Sequence, residues 1–272
     1  MSKLFPSMRH FSSSDYAFFY EPSDDTYLLV DALEAEFGNI KSRRERCLCL
    51  EMGSGSGAVT CSLALLSRGR NQSQCPSPSP AALPSPSEGT GGATIQECPD
   101  STAAFPLFCV AADLNPLAAE ATQRTAKSNN LGAWVDCVVT NLFSAFRTCP
   151  REVADGSAPS PAEAQGTGVR FDVMIFNPPY VPSTREELEE GGIDAAWAGG
   201  EKGMEVTDKF LQQMPTFLER HGFLYLLLEK RNEPETVIEK LKRKNKMLCE
   251  KVLARRAKNE SLSIWRIHRL PV

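Results

Sequence analysis

The chain is expected to fold as an α/β protein, a doubly wound, seven-stranded, mostly parallel sheet with one antiparallel strand. Three observations predict this. Short apolar runs alternate with amphipathic helical segments from residue 47 to residue 246, the order produced by strands joined through helical crossovers. The first run is followed at once by Gly53, Gly55 and Gly57 and then by a helical segment, which makes a β-turn-α unit. The last two strands follow one another without an intervening helix, and a terminal hairpin of this kind sets one strand antiparallel.

Taken in order, Ser23, Asp24 and Asp25 open a helix whose apolar residues are Tyr27, Leu28, Val30, Ala32, Leu33 and Phe37. Ser23 caps it, the two acids suit its positive end, and Gly38 ends it. Residues 47–52 read as the first buried strand and 58–67 as the helix after the glycines. Prolines and serines then dominate residues 75–87, and glycines extend the bias, so a segment of about 71–104 cannot bury enough apolar surface to fold and reads as an insert. Residues 107–112 form the second strand, ending at Asp113; 117–129 are helical; 135–139 are the third strand. A second Pro/Gly/Ala-rich insert, about 150–169, precedes the fourth strand at 171–176. Helices at 209–219 and 233–246 flank a buried strand at 223–229, and strands at 251–255 and 262–269 close the chain. No internal repeat is present, so the expectation is one domain over residues 1–272 with two inserts.

Composition narrows the classes of function. The 272 residues are 42% hydrophobic and 24% charged, with a formal net charge of −4, which argues against a large phosphate-binding surface while allowing a local basic patch. The candidate patch is Lys240, Lys242, Arg243, Lys244 and Lys246, which reads first as a solvated helix end. No apolar run reaches the roughly 20 residues of a membrane span. Nine scattered cysteines, none in a C-x-x-C pair, indicate neither a disulfide framework nor a zinc site and fit a reducing compartment. His10, His221 and His268 suggest no metal triad, so no metal is expected. The N-terminus, with Lys3, Arg9 and the serine run Ser12, Ser13 and Ser14 ahead of the first acid, Asp15, has a presequence-like bias. It is too short and too weakly amphipathic for one, and reads as a mobile cytosolic end. A cytoplasmic protein is expected, with the nucleus as a second location.

The chemistry concentrates in Asn177, Pro178, Pro179 and Tyr180, directly after the fourth strand. The Asn177 carboxamide oxygen and the Pro178 carbonyl can accept both hydrogens of a planar NH2 group, the prolines fix the backbone, and Tyr180 can stack on a flat substrate. Such a corner suits methylation of an amide or an exocyclic amine, whose nitrogens are poor nucleophiles and need exact aim. A plain strand-ending turn would carry the same prolines.

The glycines between Glu51 and Ala58 allow a ligand close to the main chain at the carboxyl end of the sheet. Asp113 stands where a carboxylate would bind ribose hydroxyls; removing an insert of about 35 residues restores the ~20-residue spacing from the glycines. As an alternative or additional role, Asp113 caps the helix that begins near Asn115-Pro116. Glycines and acid fit a nicotinamide or a sulfonium nucleoside equally. Hydride transfer has no use for the Asn-Pro-Pro-Tyr corner, whereas methyl transfer does. The P-loop lysine is missing.

With these residues the chain resembles the HemK-type family of class I S-adenosylmethionine-dependent methyltransferases, in its eukaryotic and archaeal release-factor branch. The resemblance is carried by Tyr20-Glu21-Pro22-Ser23-Asp24-Asp25-Thr26, Glu51-Met52-Gly53-Ser54-Gly55-Ser56-Gly57, Asp113-Leu114-Asn115-Pro116, Asn177-Pro178-Pro179-Tyr180 and Ala195-Ala196-Trp197-Ala198-Gly199-Gly200. It implies a Rossmann-like fold and S-adenosyl-L-methionine as cofactor. Thr26, Glu51, Gly53, Gly55, Gly57, Asp113, Leu114, Asn141 and Leu142 would line that cofactor, and Asn177 would span cofactor and substrate. Asn141 departs from the branch, which usually has Asp there, yet its side chain still offers one acceptor and one donor group to adenine. The resemblance further implies methylation of the glutamine in the Gly-Gly-Gln motif of a peptide-chain release factor, a histone lysine as a second acceptor, and a heterodimer with a small zinc-ribbon activator.

Two further features bear on substrate and partner. Glu186, Glu187, Glu189, Glu190 and Asp194 follow the corner and either attract a basic peptide or form a solvated face; Trp197 is either a pocket wall or core. In this strand order the third strand is an edge, and Trp134, Val135, Cys137, Val138 and Val139 make it unusually apolar. A second chain would cover such an edge, as would flanking helices. The rival functions are adenine N(6)-methylation of DNA or RNA, opposed by the lack of a base-reading domain, and a non-catalytic cofactor-binding scaffold.

Overall fold

The computed structural model describes residues 4–42, 46–69, 105–147, 168–183, 200, 203–257 and 260–270. Its strands are β1 (Cys47–Met52), β2 (Leu107–Asp113), β3 (Val135–Val139), β4 (Phe171–Phe176), β5 (Leu218–Glu229), β6 (Met247–Ala257) and β7 (Glu260–Arg269). They form one sheet in the order β3-β2-β1-β4-β5-β7-β6. The pairs from β3 to β5 are parallel, and β7 runs antiparallel between β5 and β6. The chain proceeds outward from β1 to one edge and then returns to the other side of β1 at β4. That reversal is the switch point at which open α/β sheets bind ligands.

Helices α1 (Asp24–Lys41), α2 (Ala58–Ser67), α3 (Pro116–Ser128), α4 (Glu205–Phe217) and α5 (Pro234–Asn245) cover the two faces. Leu28, Leu29 and Leu33 of α1 and Leu63 of α2 pack with Cys49, Val173, Ile175 and Tyr225 in one core. Phe210 and Met214 of α4 and Leu241 of α5 pack with Leu50, Met174, Phe176 and Leu226 in the other. Strands buried on both faces need near-continuous apolar runs, which is why β1, β4 and the 223–229 part of β5 are plain in the sequence.

Where element bounds depart from expectation, burial explains most of the difference. Helix α1 continues beyond Gly38 to Lys41 and thereby buries Ile40. Helix α4 begins at Glu205 and holds Pro215 inside it. Strand β5 starts at Leu218, because a bulge opposite Phe171–Val173 absorbs residues 219–222; a side chain at Gly222 would press within 2.9 Å of the Asp172 carbonyl. Strands β6 and β7 extend into a long hairpin of 11 and 10 residues. The chain before residue 23 is not a mobile end. Phe19 is buried against Ala118 and Ala121 with Phe11 and Tyr16 beside it, Asp15 pairs with Arg124 at 3.1 Å, and Asn129 bonds both Ser7 N and Ser7 O. Aromatic residues spaced along that segment give it enough apolar area to adhere to α3.

The two expected inserts, about 71–104 and 150–169, lie outside the described residues, except that residues 168–169 are described. The residues beside them are bonded to one another: Phe105 N donates to Ser67 O at 2.7 Å and Val169 N to Arg147 O at 2.9 Å.

Gly57 fixes the junction of β1 and α2. It has φ +78°, and a Cβ there would lie 2.8 Å from Thr122 Cα on α3. Gly57→Ala is expected to destabilise the fold by about 2–4 kcal/mol in urea unfolding. Gly132→Ala, where a Cβ meets nothing within 4 Å, should stay within about 0.5 kcal/mol of the parent; equal losses at both positions would refute the role given to Gly57.

Candidate active site

Parallel pairing of β1 with β4 ends with Met52 opposite Phe176, so the glycine loop and the Asn-Pro-Pro-Tyr corner leave the sheet side by side. A Cβ on Gly53 would stand 3.8 Å from the Asn177 carbonyl oxygen. Gly53, Gly55 and Gly57 all have positive φ, at 71°, 53° and 78°, a backbone open chiefly to glycine. Gly55 lies under Tyr20, whose Cβ would be 3.5 Å from an added methyl. The segment preceding α1 therefore roofs the loop.

Two carboxylates hold this loop, in different ways. Gly57 is the N-cap of α2 and has no side chain to satisfy the helix's free amides. Glu51 does so instead: its Oε2 accepts the Thr60 amide at 2.8 Å and the Thr60 hydroxyl. Burial dominates, however, and pushes the Glu51 carboxyl up to about 8 despite both bonds. Asp113, at the end of β2, accepts Gly55 N through Oδ2 and Asn115 N through Oδ1, both at 2.9 Å. Burial raises its pKa and these backbone amides oppose the rise. Asp113 is not the helix cap; Asn115 is, its Oδ1 accepting Leu117 N at 2.9 Å. Beside Asp113, Leu114 is 60% exposed, an apolar surface that a flat nucleobase could cover.

Thr26 belongs to the cap of α1, accepting Ser23 N at 3.3 Å and donating to Asp25 at 3.2 Å. Asn141 is exposed just beyond β3, and Leu142, at φ +49°, packs into the core on the α4 side. The structure thus gathers Gly53, Gly55, Asp113, Leu114 and Asn177 at one opening. Glu51 and Leu142 lie inward of it.

At the corner itself, Asn177 Nδ2 donates to Asp25 Oδ2 at 2.8 Å. Its Oδ1 is buried and has no partner among the described residues. The Pro178 carbonyl likewise takes no hydrogen bond among the described residues. Pro178 is buried and Pro179 half-buried. Tyr180 donates its hydroxyl to Glu260 Oε2 at 3.1 Å, and burial, with Asp25, Tyr20 and Glu260 nearby, raises its pKa so that it stays protonated. Beyond it, Asn232 Nδ2 donates to the Tyr180 carbonyl at 3.2 Å, and a side chain at Gly203 would overlap that same oxygen. Trp197 and the acidic residues Glu186, Glu187, Glu189, Glu190 and Asp194 lie outside the described residues.

Asp25, Tyr20, Glu260 and Asn232 were not expected as site residues. Tyr20 and Asp25 stood in a quoted motif, but Asp25 was read only as a helix-end charge. Glu260 and Asn232 gave no signal, since they sit 80 and 52 residues from Tyr180.

S-adenosylmethionine fits these residues. The glycine cradle admits its backbone contacts, Asp113 suits a ribose, Leu114 suits a base, and the Asn177 main chain passes beside Gly53. The fold is that of class I methyltransferases. The structure of the E. cuniculi Mtq2-Trm112 complex aligns with a TM-score of 0.51 at 21% identity, over 93% of this chain and 99% of that one. No protein-family model matches the chain.

A relative matched over nearly its whole length decides the family, and a second match, over part of the chain, agrees. Methyltransferase HEMK2 of Homo sapiens is 31% identical over 259 residues, 95% of this chain and 94% of its own. The eRF1 methyltransferase catalytic subunit mtq2 of Schizosaccharomyces pombe is 42% identical over 107 residues, 39% of this chain and 45% of its own. The chain belongs to the HEMK2 family of methyltransferases, and its cofactor is S-adenosylmethionine.

Glu51 gives stability a pH dependence. With its carboxyl at about 8 in the fold against 4.5 when unperturbed, the folded state binds the proton more tightly than the unfolded state does. This contribution is complete below about pH 4.5 and is lost as pH rises through about 8, a change on the order of a few kcal/mol. Denaturation curves across this range should show the decline, and Glu51→Gln should flatten it; an unchanged slope would contradict the assignment.

Proposed function

We propose that the chain methylates the side-chain amide nitrogen of the glutamine in a Gly-Gly-Gln motif of a peptide-chain release factor. The observation that carries this is a pair of acceptors on successive residues that no described residue uses, the buried Oδ1 of Asn177 and the carbonyl of Pro178. An amide NH2 has two donors and needs two acceptors. The mtq2 relative is named as an eRF1 methyltransferase, which agrees with that substrate. A histone lysine is a second candidate acceptor from the family resemblance.

Bound S-adenosylmethionine supplies an electrophilic methyl group. The protein's own work is positional. Asn177 and Pro178 hold the two N–H groups so that the nitrogen's out-of-plane electrons face the glycine loop, where Gly53 and Asp113 would hold the cofactor. No residue need take a proton before transfer; the proton leaves the nitrogen afterwards, to water. Positioning of this kind supplies several kcal/mol. Tyr180, Pro179 and Trp197 are proposed as the walls that receive the glutamine side chain.

We also propose that the chain is a single domain over residues 1–272 that carries two inserts, supported by the hydrogen-bonded flanks of each. A cytoplasmic place of action, or a nuclear one, is supported by the free thiols of the six described cysteines.

A partner of the small zinc-ribbon kind is proposed for the β3 edge. Among the described residues strand β3 pairs with β2 alone, and Val139 on it and Phe108 on β2 remain 52% and 40% exposed, more apolar surface than an unprotected edge normally shows. The E. cuniculi protein is itself a complex with Trm112. Val139→Lys should abolish co-purification with such a partner; retention would place the partner elsewhere.

The central test is mass spectrometry of a release factor incubated with the protein, partner and cofactor. One added methyl on the Gly-Gly-Gln glutamine is expected. Asn177→Ala should lower that rate by about a thousandfold while cofactor affinity, by calorimetry, changes by less than about tenfold. Methylation of an adenine oligonucleotide in its place would overturn the reading.

A further inference from the structure

Asn177 poses a problem that neither its sequence neighbours nor the backbone solves. A carboxamide has two faces of nearly equal shape, an oxygen that accepts and an NH2 that donates, and turning it over costs little in packing. Only one orientation can receive a substrate NH2. In the other, two NH2 groups would face each other.

The structure holds one orientation through Asp25. Asp25 is 3% exposed, and its Oδ2 accepts Asn177 Nδ2 at 2.8 Å and the Tyr20 hydroxyl at 3.0 Å. Its Oδ1 accepts the Thr26 amide at 2.6 Å and the Thr26 hydroxyl at 3.2 Å. Both carboxylate oxygens are thus tied to donors on two sides, and neither can swing away. A carboxylate only accepts, so the group of Asn177 that faces it is the NH2, and Oδ1 is left buried without a partner among the described residues. Were the carboxamide reversed, its oxygen would meet the buried Asp25 oxygen at hydrogen-bond distance with no proton between them, a costly contact.

We propose that Asp25, held by Tyr20 and Thr26, is a positioning residue that fixes the Asn177 carboxamide with its oxygen turned to the substrate. The proposal rests on the reading that Asn177 receives an amide NH2. It gives the Tyr20–Thr26 segment a role in orienting the acceptor. It also explains why a residue on the first turn of α1 is buried as an acid against a strand end 152 residues away.

Asp25→Asn is the informative variant, because it preserves shape. The Thr26 amide and hydroxyl continue to require an oxygen on their side, so the new NH2 faces Asn177, which then turns its own oxygen toward residue 25 and its NH2 into the site. In the full chain with cofactor and a Gly-Gly-Gln release factor, the single-turnover rate should fall by about a hundredfold, with cofactor affinity within about threefold of the parent. Because Asp25 acts through Asn177, the double variant Asp25→Asn/Asn177→Ala should be no slower than Asn177→Ala alone. Losses that multiply, or a single variant at the parent rate, would overturn the proposal. Tyr20→Phe keeps the Asp25–Asn177 bond, frees one restraint, and should give a smaller loss than Asp25→Asn.

A measurement that needs neither turnover nor a stable variant accompanies these. In ¹H–¹⁵N spectra of the parent, the Asn177 side-chain NH2 should exchange slowly and one of its protons should shift downfield as a donor to a carboxylate. Fast exchange with unshifted protons would sink the proposal. If that signature is present and the release factor is not methylated, the glutamine reading fails while the positioning role of Asp25 stands.

Discussion

Strands β1 and β4 lie next to each other and run the same way, although more than a hundred residues separate their carboxyl ends, Met52 and Phe176. That adjacency is the constraint on which the rest depends. It makes the loop after β1 and the corner after β4 neighbours, whatever lies between them in the chain. A parallel sheet delivers both loops at its carboxyl edge, and the left-handed glycines keep the space between them free of side chains. A cofactor bound by the one loop is then within reach of a substrate held by the other.

The second constraint is polar. In the proposed reaction Asn177 acts through one atom, Oδ1, which no described residue engages while Asp25 holds the other end of the carboxamide. Glu260 performs a related service for Tyr180, and Asn232 with Gly203 for the Tyr180 carbonyl. The corner is therefore braced from α1, from the β6–β7 hairpin and from the turn before α5. Braces from three separate elements give a short turn the rigidity that attack by a weak nucleophile demands.

Legibility in the sequence followed burial. Strands β1, β3 and β4 and helix α2 could be delimited as found, since continuous apolar runs and adjacent glycines mark them. Strand β5 could not, because a bulge at residues 219–222 continues pairing through polar residues. Nor could the N-terminal segment, whose aromatic residues look unordered until α3 is available to pack against. Gly53, Gly55, Asp113 and Asn177 were identifiable because glycine conformations and strand-end acids have local signatures. Asp25 was visible as a helix-start acid and hidden as a partner of Asn177. Glu51, expected against the cofactor, also caps α2 through Oε2, a substitution for the missing side chain of Gly57 that only the folded loop reveals.

The most direct test of this arrangement is a crystal structure of the full chain with S-adenosylhomocysteine and a Gly-Gly-Gln peptide. The glutamine amide nitrogen should lie within hydrogen-bond distance of both Asn177 Oδ1 and the Pro178 carbonyl, facing the sulfur across Gly53, with Asp25 still bonded to Asn177 Nδ2. A peptide bound away from that corner, or a carboxamide that presents its NH2 to the glutamine, would contradict it.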